Sequence, residues 1–356
     1  MTYLDANASE PLRPDAHAAV LATLALTGNP SSVHAAGRQA RRVLEDARER
    51  LAARFGAAPA DLVFTSGGTE ADALAIHALG QGRRLLISAT EHDAVRAARA
   101  DAAIIPVDQD GVVDLDALAA ALAGPPALVC LMLANNETGT VQPVAAAAAL
   151  CRRHGALLHV DAVQAAGRMP VDLRTLGADS LALSSHKVGG PMGAGALLLA
   201  PDRVATALIP GGGQERGRRG GAPALSAIAG FAAAADAPVQ DLSALRGTVE
   251  AAAAAEGAVV LGGADRLSNT ACLALPGVAA QTQVIALDLA GVQVSAGAAC
   301  SSGKVARSHV LDAMGLGALA GEAIRVSLPW NATMDDVAAF AAAYGAMARR
   351  LTRRAA

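Results

Sequence analysis

Short apolar runs take turns with helix-like segments through the first two-thirds of this 356-residue chain, and that alternation restricts its fold more than any other feature. The runs DLVFTSGG, RLLISATEH, AAIIPVD, ALVCLMLANNETG, ALLHVDAVQ, SLALSSHK and GAGALLLA are leucine-rich or β-branched, and most end in glycine, serine, asparagine or a charged residue. Between several of them lie helical segments such as TEADALAIHALG and VAAAAALCRRHG. RRVLEDARERLAARFG (41–56) has helical spacing and charged i, i+4 pairs. Strands alternating with helices predict an α/β fold with a mostly parallel, doubly wound sheet. Such sheets bind ligands beyond the carboxyl ends of their strands. After about residue 235 the pattern changes to an alanine-rich helix, AVVLGG, NTACLALPG and a helical C-terminus, which reads as a second, smaller α+β domain. The length agrees with more than one core.

Composition narrows the function. A net charge of −3 exerts no general pull on nucleic acid or an anionic membrane. Cys130, Cys151, Cys272 and Cys300 form no C-x-x-C pair, which argues against a zinc site or a disulfide framework and fits a reducing cytoplasm. MTYLDANASEPLRP has neither the basic start nor the apolar core of a signal peptide, so a cytoplasmic protein is expected. The uncharged run at 117–134 is broken by Gly-Pro-Pro and reads as a helix end followed by a buried strand, with no membrane span. The chain has 27 arginines but only two lysines, Lys187 and Lys304. A lysine amine can deprotonate and attack a carbonyl, and arginine cannot. Chance is the alternative account of either lysine.

Several strand ends carry groups that could converge on one ligand. In TSGGTEADALAIHAL, two glycines and Thr69 stand where a strand turns into a helix, a place that suits a phosphate. A plain helix start, with Thr69 as N-cap and Asp72 in the first turn, explains the same residues. His92 could stack on a flat ring, shuttle a proton or simply be a satisfied polar group. Asn135, Asn136 and Glu137 need partners that turn chemistry could supply. Asp161 ends a buried strand, where a carboxylate is costly unless paired. A cationic ring nitrogen would pair it, with Gln164 reaching the same ligand, and an N-cap role is the alternative. Ser184, Ser185, His186 and Lys187 follow another strand. There Ser and His suit a phosphate, and a lysine near cationic or apolar neighbours would have a nucleophilic amine. GGGQERGRRGGAP (211–223) fits a loop lending amides and arginines to a phosphate better than an RGG-type nucleic-acid segment. Cys300, in VSAGAACSSGK, has no bulky neighbour to pack against, unlike a structural cysteine.

In order and spacing, TSGGTE, EHDAV, NNETGTVQPV, HVDAVQAAG, SSHKVGGPMGAGAL, GGGQERGRRGGAP, SAGAACSSG and AIRVSL resemble the cysteine desulfurases, fold-type I pyridoxal 5′-phosphate enzymes of the class V aminotransferase group. YLDANASEPL and GNPSSVHAAGRQAR resemble the family's N-terminal motifs, and the likeness runs from about residue 3 to about 330. The resemblance implies a large cofactor-binding domain at 13–235, and a small domain, 1–12 with 236–356, carrying a mobile cysteine loop. Lys187 looks like the lysine that attaches the cofactor. Asp161 would pair with the pyridine nitrogen, Gln164 and Asn136 with the phenolic oxygen. His92 would stack on the ring and transfer protons. Gly68, Thr69, Ser184 and His186 would hold the phosphate. Asn7, Asn136 and Arg325 would bind substrate, Arg325 by its carboxylate. Cys300 would be the nucleophile, on a loop resembling the longer one of the nitrogenase-maturation and iron–sulfur-assembly type. Lys304 could favour its thiolate or be a solvated charge.

The implied reaction turns L-cysteine into L-alanine and leaves a persulfide on Cys300 for a protein sulfur acceptor. A homodimer is implied because the arginine loop of this family crosses a subunit boundary. A selenocysteine lyase or other β-lyase, or a non-catalytic sulfur-relay or scaffold relative, are the alternatives. Departures from the family pattern are Ala222, where a threonine usually reaches the neighbouring subunit's phosphate, Ser9-Glu10 in the N-terminal motif, Pro329-Trp330, and a short segment at 235–270.

Overall fold

The computed structural model describes residues 1–299 and 305–352, so Cys300 and Lys304 lie outside the described residues. Its strands are β1 (Thr2–Tyr3), β2 (Leu62–Thr65), β3 (Arg84–Ser88), β4 (Ala103–Ile105), β5 (Ala127–Cys130), β6 (Leu157–Asp161), β7 (Ser180–Ser184), β8 (Gly195–Leu199), β9 (Val259–Leu261), β10 (Thr270–Ala274), β11 (Val292–Gln293), β12 (Ser295–Ala296), β13 (Ala298–Ala299), β14 (Val305–Ala306) and β15 (Ala323–Ser327).

Seven strands form one sheet in the order β2-β8-β7-β6-β5-β3-β4. Strands β3 to β7 pair in parallel, while β8 opposes both neighbours. The reason for the reversal is length. A parallel return needs a crossover of a dozen or more residues, and the link between β7 and β8 spans only residues 185–194. Strands β2, β5, β7 and β8 are buried at every position, because helices cover both faces; that is why they read as continuous apolar runs. The core is closely packed from small side chains. The helix Leu225–Ala235 lies against helices Pro14–Leu24 and Ala35–Arg54. A Cβ at Gly230 would stand 2.7 Å from Val20 Cγ2, so only glycine permits this approach.

The second sheet, β12-β15-β10-β9, is antiparallel throughout. Its own apolar cluster includes the neighbouring rings of Phe340 and Tyr344, 5.3 Å apart, from the C-terminal helix Met334–Thr352. The N-terminus lies beside this sheet: β1 pairs with β11 as a separate two-stranded sheet, and Asp5 bridges to Ser327 at the end of β15. The chain then runs back across the first sheet, where Glu10 N–H donates to the His186 carbonyl (2.8 Å). Residues 7–10 therefore strap the end of β7. Strands β13 and β14 flank the residues around Cys300. Among the described residues no helix is long and apolar enough to cross a membrane.

Candidate active site

The carboxyl ends of β2, β3, β5, β6 and β7 open on one cavity of about 230 Å³. Its walls include Gly68, Thr69, His92, Asn136, Asp161, Gln164, Ser184, His186 and Lys187, which brings together every residue that the sequence assigned to cofactor binding. Asp72, Met132 and Val163 complete it.

Each wall group is set by local backbone chemistry. Gly67 caps the helix Gly68–Leu79 without a side-chain bond, so Thr69 is not the N-cap; it stands in the first turn, where free N–H groups and the helix dipole favour an anion. A Cβ at Gly68 would lie 2.6 Å from Val163 Cγ2, so glycine lets the helix start close against the β6 turn. Asp161 Oδ1 accepts the N–H of Val163 (2.8 Å), turning the chain sharply out of β6. His92 Nδ1 accepts the N–H of Ala94 (3.1 Å), so the ring both caps a short helix and faces the cavity. Asn135 closes the turn after β5 by accepting from Glu137 and Thr138, and leaves Asn136 at the wall. Glu137 finds its partner in Ser308 Oγ (2.6 Å).

Burial sets the charges. It lowers Lys187 to about 7, helped by the guanidinium groups of Arg325 and Arg168. It raises the Asp161 carboxyl to about 7, with the Asp72 carboxylate adding to the effect. It also lowers His186 to about 4, so this imidazole is neutral, and its Nδ1 has no hydrogen-bond partner among the described residues. Behind β6, His159 bonds Asp72 (3.0 Å) and Ser180 (2.8 Å), which accounts for Asp72 at the wall. Sequence spacing gave no sign of that bond.

One expectation about substrate binding changes. Asn7 was expected to bind substrate, but its side chain is fully engaged: Nδ2 donates to the Asn136 carbonyl (3.1 Å) and Thr270 Oγ1 (2.9 Å), and Oδ1 accepts from Asn269 (3.1 Å). What Asn7 offers the cavity is its main-chain carbonyl, which accepts from Lys187 Nζ (2.5 Å) and Gln164 Nε2 (3.1 Å). Arg325 lies beside the cavity with one nitrogen on Asp5 (2.6 Å) and another on the Asn136 carbonyl (3.1 Å), its buried Nε–H unpartnered among the described residues. The arginines of the 211–223 loop do not reach the cavity of their own chain. Arg219 pairs with Glu70 (2.8 Å), and Arg218 donates to the Leu62 carbonyl (3.0 Å).

A phosphate fits the uncapped helix start beside neutral His186. A cationic ring nitrogen fits the buried Asp161 carboxylate, and a carbonyl fits the low-pKa amine between them. The donor set thus suits pyridoxal 5′-phosphate, on which class V aminotransferases generally depend.

The family model for the class-V aminotransferases matches residues 2–340. A cysteine desulfurase of Cereibacter sphaeroides is 44% identical over 94% of this chain and 92% of its own. The solved structure of a NifS-like protein from Rickettsia africae superposes with a TM-score of 0.91 at 32% identity, covering 98% of this chain and 99% of that one. A structure titled SspA in complex with cysteine gives 0.83 at 29% identity, covering 92% and 99%. The chain belongs to the class-V aminotransferases and, among them, to the enzymes named cysteine desulfurases.

Proposed function

We propose that this enzyme converts L-cysteine to L-alanine and lodges the released sulfur on Cys300 as a persulfide for a protein acceptor of an iron–sulfur assembly or thiolation pathway. It works in the cytoplasm as a homodimer. The observation that carries this reading is a lysine brought to about 7 by burial and two arginines, sharing one cavity with a buried carboxylate and an uncapped helix start. The relatives' names support the activity, and the neighbour solved with cysteine supports the substrate. Two separate apolar clusters support a cofactor-holding domain at 13–235 and a smaller domain of 1–12 with 236–356.

Gly68, Thr69, Ser184 and His186 would hold the phosphate of pyridoxal 5′-phosphate, Asp161 its ring nitrogen, Gln164 and Asn136 its phenolic oxygen, and Lys187 its aldehyde carbon. His92 would cover the ring from the mouth of the cavity. When bound, this cofactor supplies an electron sink for the carbon next to the substrate amine. Lys187 Nζ, uncharged above pH about 7, takes the proton from the substrate Cα and later returns one. The Arg325 guanidinium, whose buried Nε–H is unpartnered among the described residues, would hold the substrate carboxylate against the site. The Cys300 thiolate attacks the substrate sulfur: an S–S bond forms, the Cβ–S bond breaks, and its electron pair stays with carbon, which takes a proton to give alanine. Cys130, Cys151 and Cys272 are buried, and burial pushes the thiols of Cys151 and Cys272 up to about 12, so neither supplies a thiolate.

Mass spectrometry after incubation with L-cysteine tests the reading. The peptide carrying Cys300 gains one sulfur atom, and Cys300→Ala abolishes alanine production. Undiminished alanine and sulfide from Cys300→Ala would refute the persulfide route and favour a lyase.

A further inference from the structure

Glu10 and Trp330, two departures from the family pattern that lie 320 residues apart, meet each other behind the cavity. Glu10 Oε1 accepts the main-chain N–H of Trp330 (2.6 Å), and Oε2 accepts from Arg168 (3.0 Å). Trp330 donates its indole N–H to the Pro11 carbonyl (2.9 Å) and packs under the Arg13 guanidinium, 4.9 Å from its ring centre. Both partners of the Glu10–Arg168 pair are buried, with side chains 5% and 6% exposed, so they are a fixed element of the interior and not a surface pair.

Arg168 turns this anchor toward the site. One nitrogen donates to the Ala6 carbonyl (3.1 Å); the other donates to the Gln164 carbonyl (3.0 Å) and to Gln164 Oε1 (2.6 Å). A guanidinium has five donors and no acceptor, so the amide atom that faces it must be the oxygen. On the opposite side the Gln164 amide meets the Asn7 carbonyl at 3.1 Å, an acceptor that only the NH2 group can satisfy. The two contacts orient the amide the same way round. Oxygen faces Arg168, and nitrogen faces the cavity, with one N–H on Asn7 and the second left over. Arg168 itself does not line that cavity.

We infer that Arg168, clamped by Glu10, is a positioning residue that locks the Gln164 amide so that it presents an N–H donor, never its oxygen, to the phenolic oxygen of the cofactor. The inference rests on the proposed role of Gln164 and adds the residues that enforce it. An amide free to flip would set oxygen against oxygen for part of the time and lose the bond.

The test measures two quantities on apoprotein reloaded with pyridoxal 5′-phosphate at pH 8.5, where Lys187 is already deprotonated: the dissociation constant and the position of the bound cofactor's absorbance band. Five proteins are compared: wild type, Gln164→Leu, the pair variant Glu10→Gln/Arg168→Met, which leaves no buried charge unpaired, all three changes together, and Arg168→Lys. Gln164→Leu is expected to weaken binding by about tenfold to a hundredfold, the range spanned by a hydrogen bond to a charged group, and to shift the band. The pair variant should change both readouts in the same direction but less far, because the Asn7 carbonyl still favours the correct orientation of the amide, and the triple variant should be no worse than Gln164→Leu alone. Arg168→Lys, which keeps a charge and a donor for Gln164 Oε1 but not the fork, should lose less affinity than the pair variant and lie closer to the wild-type band. A pair variant that binds and absorbs like wild type, losses that multiply in the triple variant, or a lysine variant as impaired as the methionine one would overturn the inference while leaving Gln164 its role. A Gln164→Leu protein indistinguishable from wild type would instead overturn the role of Gln164 and the inference with it.

Discussion

Lys187 offers the most direct quantitative test of the site. An ordinary lysine has its midpoint at 10.5, and burial with Arg325 and Arg168 brings this one to about 7, against the opposing pull of Asp5 and Asp161. At pH 7 about half of the Lys187 amines are free, against roughly one in three thousand for an unperturbed lysine. The composition makes this measurable, because Lys304→Arg leaves Lys187 the only lysine in the chain. Reductive methylation of that cofactor-free variant with 13C-formaldehyde, followed by an NMR titration, should show one lysine resonance with a midpoint near 7. Arg325→Met should move the midpoint upward, since removing a neighbouring cation favours the ammonium. A midpoint near 10 in the folded protein would refute the electrostatic account of the site. The shift also sets a stability profile. Between pH 7 and 10.5 the unfolded chain holds the Lys187 proton and the folded chain does not, so this group's contribution rises with pH in that window. Asp161, raised from 3.8 to about 7, acts oppositely below it: the folded chain holds the extra proton, and stability falls as pH climbs to 7. Together they contribute a trough near pH 7 in the melting temperature of the cofactor-free protein, and Asp161→Asn/Lys187→Met should flatten it.

Glu215→Ala should cost about 1.5–3 kcal/mol in urea denaturation, because the buried Arg48 loses its fork onto both Glu215 oxygens at 2.8 and 2.7 Å and keeps only the more exposed Glu45 as counter-charge; a loss below ~1 kcal/mol would show that the pair is dispensable. A Cβ at Gly297 collides with Glu137 Oε2, the acceptor of Ser308 Oγ, so Gly297→Ala should lower stability by about 1–3 kcal/mol, and an unchanged melting curve would count against that packing. By the resemblance, Ala222 replaces a threonine that bonds the neighbouring subunit's phosphate, so in the proposed homodimer Ala222→Thr should tighten cofactor binding about tenfold or more; unchanged affinity in a dimer would mean that this loop does not reach the phosphate.

Much of this could be read from the chain alone. The strands β2 to β8 fall on the apolar runs that mark them, most plainly β2, β5, β7 and β8, which are buried at every position and so are mostly apolar. Polar residues interrupting those runs at their carboxyl ends therefore announced the wall of the cavity, from Gly68 to Lys187. Local chemistry also marked Lys187, since an amine among so many arginines offers a reaction that they cannot perform.

The sequence could not say which partner each polar group would meet. Asn7 was assigned to substrate, but folding surrounds its side chain with Asn136, Asn269 and Thr270, leaving only its carbonyl for the site. Glu10 looked like a defect in a motif until the fold set it against Arg168 and Trp330. The low pKa of Lys187 comes first from burial and then from Arg325, which stands on a different sheet. Secondary structure follows from side-chain periodicity over a few residues, which a sequence displays. Charge, burial and hydrogen-bond partnership are sums over groups brought within a few ångströms from distant positions, and those neighbours exist only once the chain has folded.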